Sequence, residues 1–578
     1  MFSLKSKRCG TRSLALAAAC MTAGACLQRS AGADVAIDIL ARTGDAAPSA
    51  DLPGGTYAQF SPIAIGDAGH VLFTAQIGGA AYASRPTGYF LGLPGEPRLV
   101  YRSNLTPAPG FPAGTRVLNM SIAAVDALGN LAFLAPTSAG PSAVFLFSDG
   151  ALSLGIAPGT PIPGLAGRTL ASITELWFLS GRLLVAGQTD QGRAVSLMVE
   201  SGQVRRIVAD VTSAAAIGPG LNMTDTQAHG LTADGRVLVS LRLTGTGINL
   251  SNDRLAAHVE PDGSFTVIQR DGWMAPGGFP AGALVSNVVA TRFSSTAAGG
   301  NVLEVQASGG GITLDLDDRA MVADGSVVAR TNQLVPGELG AEGVRLVSLL
   351  SGMRAGDAVA WSALLAGPGI SSANDSGSFV GGTLVLRESD PVAAPAPAGA
   401  RILGGAGALG AVEALNTHRD WAKRATLTGG GLPGGTIYLL ASEANQAPFP
   451  LFYPGQTVSL DASSGGDDLR TVSGFRFASG VNEGGRSGLM NDRRELLASL
   501  IFADLTHALV RVRFGVDANP GCPADFNGDH NLDPDDLGDF INCFFSQPAC
   551  AGADFNSDGN IDPDDLGDFI NAYFGGCA

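Results

Sequence analysis

Short runs of apolar residues alternate with turns rich in glycine and proline over most of this chain. Apolar segments such as 71–73, 131–133 and 237–239 each follow a short turn that contains glycine. Glycine supplies the positive φ that a tight hairpin needs. The pattern therefore predicts a series of β-hairpins, closed by further strands such as 98–102 and 204–208, and a mainly β fold.

The hairpins recur with a regular period between residues 34 and 514. A turn marker that contains proline, usually followed by glycine, returns every 54 to 61 residues. The markers stand at Pro48, Pro109, Pro163, Pro219, Pro276, Pro336, Pro397 and Pro454. Eight units of this length, with about four strands each, predict an eight-unit β-propeller-like ring. Two stacked β-sandwiches are the alternative architecture, which a regular period disfavours.

The last unit of the ring lacks a closing strand. Its strands are predicted at 496–502 and 508–514, whereas segment 35–42 has the pattern of an additional strand. We expect residues 35–42 to complete the last blade, because such closure removes an exposed sheet edge.

Residues 1–33 have the pattern of a secretory signal peptide. Four basic residues precede an apolar run of about 14 residues, which is too short to favour a membrane-spanning helix, and Ala31-Gly32-Ala33 fits the cleavage site. No later segment is apolar enough to span a membrane. The chain is therefore expected to be secreted or held at the cell surface. Its net charge of −16 argues against a nucleic-acid partner.

The β region also resembles exported bacterial tandem-repeat proteins that carry an Asn-x-x-Gly-x-x-x-Phe pattern in each repeat. Asp126, Gly129 and Phe133 match this pattern, with aspartate in place of asparagine. Gly66 departs from the first position of another copy, and the glycine is absent near Asn416 and Asn491. The resemblance supports the repeats and implies no activity.

The last residues contain two acidic segments that repeat at an offset of 29 residues. Each has oxygen-bearing side chains at positions 1, 3, 5, 7, 9 and 12 of a loop, which suits the six to eight oxygen ligands of Ca²⁺. The predicted ligands of two calcium ions are Asp525, Asn527, Asp529, Asn531, Asp533 and Asp536 in the first loop, and Asp554, Asn556, Asp558, Asn560, Asp562 and Asp565 in the second. So many carboxylates repel one another without a cation, so calcium binding and folding should be coupled.

A single helix is predicted after each loop. Asp-Pro pairs give an N-cap and a first-turn proline. Apolar residues follow at helical spacing: Leu537, Phe540, Ile541 and Phe544, then Leu566, Phe569, Ile570 and Tyr573.

This doubled loop-and-helix unit, residues 522–578 after a linker at 515–521, resembles the cysteine-bearing type of dockerin module. The resemblance implies docking to a cohesin-like module of a scaffold or cell-surface protein. Two features depart from it: His530 stands where the first loop usually has glycine, and positions 10 and 11 are Pro-Asp in both loops. A self-contained calcium module is therefore the alternative.

Four cysteines remain after removal of the signal peptide, and all lie in this module: Cys522, Cys543, Cys550 and Cys577. An even number in a small exported unit predicts disulfides, with three possible pairings. Joining the two ends of the module would favour Cys522 with Cys577 and Cys543 with Cys550.

No local catalytic motif appears in the chain. The glycines of 405–410 match a dinucleotide fingerprint by letters only, since no βαβ unit surrounds them. His70, His229, His258, His418 and His507 are widely separated and are expected in turns or on the surface. The sequence therefore favours a non-catalytic binding or structural protein tethered through the calcium module. The alternative is a dockerin-borne polysaccharide hydrolase or lyase with its acid pair at the propeller axis.

Overall fold

The computed structural model describes residues 35–47, 52–94, 96–200, 202–210, 217–295, 300–403, 409–444, 446–460, 468–477, 481–482 and 489–514, and, further on, 524, 526, 534–546, 553, 555 and 560–575. These residues form eight β-sheets of four or five strands, arranged as the blades of a propeller. The predicted mainly β, eight-bladed fold is confirmed. Among the described helices, none has the length and apolar character needed to cross a lipid bilayer.

Blades 1 to 4 use consecutive strands, which pair antiparallel in sequence order. Blade 1 contains β2 (Thr56–Ile65), β3 (Val71–Gly78), β4 (Thr87–Gly92) and β5 (Arg98–Arg102). Blade 2 contains β6 (Ile122–Val125), β7 (Leu131–Pro136), β8 (Ser142–Ser148) and β9 (Ala151–Ile156). Blade 3 contains β10 (Leu170–Leu179), β11 (Arg182–Thr189), β12 (Ala194–Glu200) and β13 (Gln203–Asp210). Blade 4 contains β14 (Leu221–Leu231), β15 (Val237–Gly245), β16 (Arg254–Val259) and β17 (Phe265–Arg270).

Blades 5 and 6 repeat this order, and a short helix α1 (Glu338–Ala341) lies between them. Blade 5 contains β18 (Leu284–Ser295), β19 (Asn301–Ser308), β20 (Arg319–Ala323) and β21 (Ser326–Arg330). Blade 6 contains β22 (Arg345–Ala355), β23 (Ala358–Ala366), β24 (Ser376–Val380) and β25 (Thr383–Arg387).

Blades 7 and 8 depart from the simple order. Blade 7 contains β26 (Arg401–Ile402), β27 (Ala414–Leu415), β28 (Trp421–Thr428), β29 (Thr436–Ser442) and β30 (Phe449–Phe452), with both β26 and β27 paired to β28. Blade 8 contains β31 (Thr457–Ser459), β32 (Leu469–Phe477), β34 (Glu495–Phe502), β35 (His507–Phe514) and, at its outer edge, β1 (Val35–Arg42). The short strand β33 (Val481–Asn482) pairs parallel with β6 of blade 2.

The first strand of each blade is the one closest to the axis. The contacts that these inner strands make with one another around the ring identify them. β6 contacts β10, β10 contacts β14, β14 contacts β18, and β18 contacts β22. We call the end that carries the turns from inner to second strands the hairpin end. The opposite end, which carries the turns between second and third strands and the connectors between blades, is the connector end.

Apolar clusters between neighbouring sheets form the core of the propeller. Between blades 1 and 2, for example, Tyr89 and Tyr101 stack with ring centroids 4.4 Å apart, and Tyr101 stacks on Phe133 at 5.1 Å. The buried Tyr101 hydroxyl donates a hydrogen bond to the carbonyl of Leu118 at 3.0 Å, so its polar end is satisfied.

β1 closes the ring by pairing antiparallel with β35, from Val35 opposite Phe514 to Arg42 opposite Ala508. Ion pairs reinforce this pairing. The carboxylate of Asp38 forms ion pairs with the guanidinium groups of Arg511, at 2.8 Å, and of Arg513, at 2.9 Å. The first described strand and the last strand of the propeller therefore belong to one sheet.

The Asn-x-x-Gly-x-x-x-Phe pattern has a structural explanation at the hairpin end. Asp126 is buried, and its Oδ1 accepts the backbone N–H groups of Leu128 and Asn130. Gly129 has φ of 78°, and a Cβ there would lie 2.4 Å from Nε2 of His70 in the neighbouring turn. Phe133 then points into the core. The motif is a side-chain-capped turn that feeds the second strand of a blade.

Blades 7 and 8 keep this turn without the glycine. Arg419 and Arg494 take its place with φ of 70° and 61°. Arg494 compensates by pairing with the buried carboxylate of Asp420 in blade 7, at 2.7 Å. An ion pair between two blades thus holds a backbone conformation that glycine holds elsewhere.

Candidate metal centre and binding groove

Two helices follow the two acidic loops: α2 (Pro534–Phe545) and α3 (Pro563–Gly575). Asp562 caps α3, because its Oδ1 accepts the N–H of Asp564 at 2.9 Å. The N–H of Asp562 in turn donates to Oδ2 of Asp565 at 2.9 Å. This reciprocal arrangement is a capping box with aspartate at both positions, and it fixes the second predicted loop to its helix.

An aromatic cluster joins the two helices. Phe540 of α2 and Phe569 of α3 are fully buried and stack with centroids 4.0 Å apart and planes 1° from parallel. The rings of Phe526 and Phe555 meet this stack edge-on. Since the members of each pair lie 29 residues apart, the repeats pack with approximate two-fold symmetry.

The structure describes four of the predicted calcium ligands. Asp536 and Asp565, the twelfth residues of their loops, are both fully buried; Asn560 is exposed, and Asp562 is half-buried. The remaining ligands lie outside the described residues: Asp525, Asn527, Asp529, Asn531, Asp533, Asp554, Asn556 and Asp558. Within the described part of the chain, no group of three or more His, Cys, Asp or Glu side chains is arranged so that it could hold a metal ion.

The two buried carboxylates fit a calcium site. Burying an ionised carboxylate costs free energy unless hydrogen bonds, an opposite charge or a metal compensates for it. Here the same loop position is buried in both repeats, and the predicted donor set consists of oxygen atoms only, as calcium prefers.

Cys543 of α2 is buried and disulfide-bonded. All the other cysteines lie outside the described residues. The pairing expected from the sequence therefore stays a prediction.

Each helix also presents an apolar pair to solvent. Ile541 and its counterpart Ile570 are each 37% exposed, and Phe545 and Phe574 are 67% and 76% exposed. Exposed aromatic residues at equivalent places in a small module are typical of contact surfaces.

Two of the histidines expected on the surface, His258 and His507, are instead buried. Desolvation lowers the pKa of both, and it lowers the pKa of His229 to about 3. Nε2 of His229 lies 2.8 Å from Oγ of Ser240, a buried residue. These imidazoles are neutral parts of the blades.

A feature that the sequence analysis missed lies on the inner strands near the connector end. Each of six inner strands has a β-bulge, where two residues face one residue of the second strand. The pairing register shifts between Tyr57 and Gln59, Leu170 and Ser172, Met223 and Asp225, Val285 and Asn287, Leu346 and Ser348, and Val472 and Gly474. The signal was present as consecutive polar residues after an apolar one, such as Thr224-Asp225 after Met223, or Thr174-Glu175 after Ile173 at a second shift of β10. Bulges re-aim side chains and are frequent at functional sites.

One of these bulges opens into a groove of about 590 Å³ at the connector end, between blades 3 and 4. Its lining is mostly polar, with Gln188 and Arg193 on blade 3 and Asn222, Thr224 and Asp225 on blade 4. A second cavity of about 240 Å³, between blades 6 and 7, is mostly apolar. Its one carboxyl group belongs to Asp390, whose pKa is raised by burial.

A family model described as "Family of unknown function (DUF7453)" matches residues 19–192. No curated protein matches the chain.

Solved structures that resemble the chain include propeller proteins and enzymes. The Dos1 propeller is 9% identical, with 80% of this chain and 96% of that chain covered and a TM-score of 0.33. Prolyl oligopeptidase B from Galerina marginata is 14% identical, with 69% and 51% covered and a TM-score of 0.31. The GH93 alpha-L-arabinofuranosidase of Fusarium graminearum is 11% identical, with 59% and 97% covered and a TM-score of 0.21. Identities and TM-scores this low carry no information about the activity of this chain.

Proposed function

We propose that this protein is an exported, non-catalytic β-propeller that a calcium-dependent, dockerin-like C-terminal module attaches to a cohesin-like scaffold or cell-surface protein. The module binds two calcium ions, one in each acidic loop. The propeller is the part that is presented outside the cell.

The observation that carries the calcium assignment is the burial of Asp536 and Asp565 at equivalent places in both repeats. Each lies in the first turn of its helix, where the acidic loop ends, which is the twelfth loop position that supplies a ligand in calcium loops of this kind. The small core around Phe540 and Phe569 is assembled from both repeats. Binding of the two ions is therefore coupled to formation of this core.

The docking assignment is supported by the exposed apolar pairs of the two helices. Ile541 with Phe545, and Ile570 with Phe574, leave apolar surface in contact with water. Covering such a surface with a partner recovers hydrophobic free energy, at roughly 25 cal/mol per Å² of apolar area. The Pro-Asp pairs at positions 10 and 11 lie at the helix starts, whereas these apolar pairs lie toward the helix ends.

Calcium titration of the full chain by calorimetry tests the first half of the proposal. We expect two binding events in the wild-type chain and one in Asp565→Ala. The absence of calcium binding would refute the metal assignment.

Capture of partners tests the second half. The full chain, immobilised with calcium or with chelator, would be exposed to envelope and secreted fractions of the source cells. We expect a protein with a cohesin-like module to be retained with calcium only, and to be lost when Phe545 and Phe574 are both changed to alanine. Retention that ignores both calcium and these phenylalanines would rule out docking through the module.

A further inference from the structure

The cavity of about 240 Å³ between blades 6 and 7 is lined by residues of both blades and of the connector that joins them. Its most deeply buried residues are aliphatic: Leu386 of β25, Ile402 of β26 and Leu440 of β29. Two other lining residues, Pro391 and Ala393 of the connector, are exposed. The space therefore extends from buried aliphatic side chains to residues in contact with solvent.

Backbone hydrogen bonds fix the wall that the connector contributes. The N–H of Ser389 donates to the carbonyl of Ile402 at 2.9 Å, and the N–H of Ile402 donates to the carbonyl of Asp390 at 3.0 Å. Further along, the N–H of Val392 donates to the carbonyl of Ala400 at 3.1 Å. These bonds tie the wall to the first strand of blade 7, so the cavity is preformed, as small-molecule sites usually are.

Asp390 supplies the only charged side chain among the described lining residues. It also caps a turn, because its Oδ2 accepts the N–H of Arg387 at 3.1 Å. The equivalent cap after β1, Asp45 at 2.7 Å, is exposed, and the cap after blade 5 is the neutral Gln333 at 3.2 Å. Capping therefore requires neither burial nor a charge. Burial nevertheless raises the pKa of Asp390, a cost of the ionised form that the turn does not explain.

The charges around Asp390 restrict the kind of ligand. Its Oδ1 lies 3.2 Å from both Nε and Nη2 of Arg387, and the charge of Arg401 acts on the carboxylate as well. A cationic ligand would meet these two guanidinium groups, and an anionic ligand would meet the carboxylate. An ionised carboxylate has about four acceptor sites, so Oδ2, with one bond from the described residues, can accept another. A neutral hydroxyl group meets these conditions.

We propose that this cavity binds a small neutral molecule with one apolar ring and one hydroxyl group, of the class of simple phenols. The hydroxyl group donates to Asp390, and the ring packs against the buried aliphatic side chains. An apolar cavity of about 150 Å³ holds benzene, whereas drug-sized ligands occupy about 300 Å³ or more. The volume of about 240 Å³ therefore suits one ring with a short substituent. The site lies on the propeller and does not depend on the calcium module.

Calorimetric titration of the full chain with four single-ring probes, at saturating calcium, tests the proposal. The probes are 4-methylphenol, toluene, benzylamine and benzoate. We expect 4-methylphenol to bind, and toluene, which lacks only the hydroxyl group, to bind about tenfold more weakly because a hydrogen bond to a charged group is lost. The cation benzylamine and the anion benzoate should also bind more weakly than 4-methylphenol.

Two variants locate the binding in the cavity. Val392→Phe enlarges a half-buried lining residue and should abolish binding of 4-methylphenol. Asp390→Asn keeps an acceptor for the turn but removes the charge, and should weaken binding by about fivefold. Asp45→Asn makes the same change at the equivalent exposed cap and should leave affinity unchanged. Denaturant unfolding checks that each variant is folded.

Three results would overturn the proposal: no binding of 4-methylphenol, equal affinity for toluene, or unchanged affinity in Asp390→Asn. The last comparison decides the matter even where Val392→Phe does not fold. A failure here leaves calcium binding and docking intact, since those are measured with ligands that do not touch the propeller.

Discussion

The propeller and the C-terminal module both bury apolar surface, but the core of the propeller is much larger than that of the module. In the propeller, eight sheets bury residues on both faces, and each apolar cluster is shared by neighbouring blades. In the module, one aromatic stack of Phe540 on Phe569 supplies the centre of the core, with partly buried side chains around it. A unit this small seldom reaches stability from apolar burial alone.

The difference extends to buried carboxylates. In the propeller, Asp420 is buried against Arg494, and Asp38 pairs with two arginines at the ring closure. The two C-terminal repeats contain no lysine or arginine. Under the calcium proposal, the two ions supply the positive charge that arginines supply in the propeller, so the module would depend on a ligand where the propeller does not. The following experiments test that contrast.

Removal of calcium should have the largest effect. We expect a chelator to abolish the helical circular dichroism of the module while the β-sheet signal of the propeller persists, because the proposed calcium ions compensate the charge of the module only. The double variant Asp536→Asn, Asp565→Asn should behave in the same way with calcium present. Loss of both signals together, or of neither, would contradict the contrast.

Truncation of the aromatic stack should have the next largest effect. Phe540→Ala removes a fully buried ring and should destabilise the module by about 3–5 kcal/mol, enough to lower its apparent calcium affinity in a titration. Phe545→Ala, on the same helix but exposed, should cost less than about 0.5 kcal/mol. Equal effects of the two variants would mean that the stack is not the core.

The ion pair between Asp420 of blade 7 and Arg494 of blade 8 tests charge compensation inside the propeller. Asp420→Ala leaves Arg494 without its closest carboxylate in a backbone conformation that disfavours arginine, and should cost the propeller about 3 kcal/mol in denaturant unfolding. Glu200→Ala, which breaks the exposed pair with Arg205, should cost less than about 0.5 kcal/mol. The calcium-dependent helical signal should not change in either variant.

The sequence predicted the eight blades because both the period and the turn chemistry are local. Proline and glycine mark each connector, and one capped turn, seen at Asp126 to Asn130, introduces the second strand. The glycine-free turns at Arg419 and Arg494 weakened this pattern, because their stability comes from Asp420, which is far from Arg494 in sequence. No local motif encodes such a contact.

The candidate site on the propeller could not be predicted in the same way. The bulge at Thr224-Asp225 is marked in the sequence only by two consecutive polar residues after Met223, and only the fold brings it against Gln188 and Arg193 of blade 3. The cavity beside Asp390 is likewise a tertiary property, since blades 6 and 7 both line it. The calcium ligands could be predicted from the sequence alone, because all the ligands of each proposed ion are spaced along a single loop.

Asp271 gives the smallest and most specific test of how the two regions treat a buried carboxylate. It is almost fully buried in the propeller, and desolvation, with a further contribution from Asp253, raises its pKa to about 6. The folded state therefore holds the proton more tightly than the unfolded state, whose pKa is near 3.8. The free energy of unfolding should decrease as the pH rises from about 4 through 6, and then level off.

Asp271→Asn removes the charge and keeps an acceptor, so it should stabilise the propeller above pH 6 by about 2 kcal/mol and have little effect below pH 4. Denaturant unfolding from pH 4 to 8 measures the profile, with the exposed Asp190→Asn as the control that leaves it unchanged. A gain that is the same at every pH would show that the variant acts by packing. With calcium bound, Asp565→Asn should do the opposite and destabilise the module at neutral pH, because there the buried carboxylate is compensated by the ion and its charge is required.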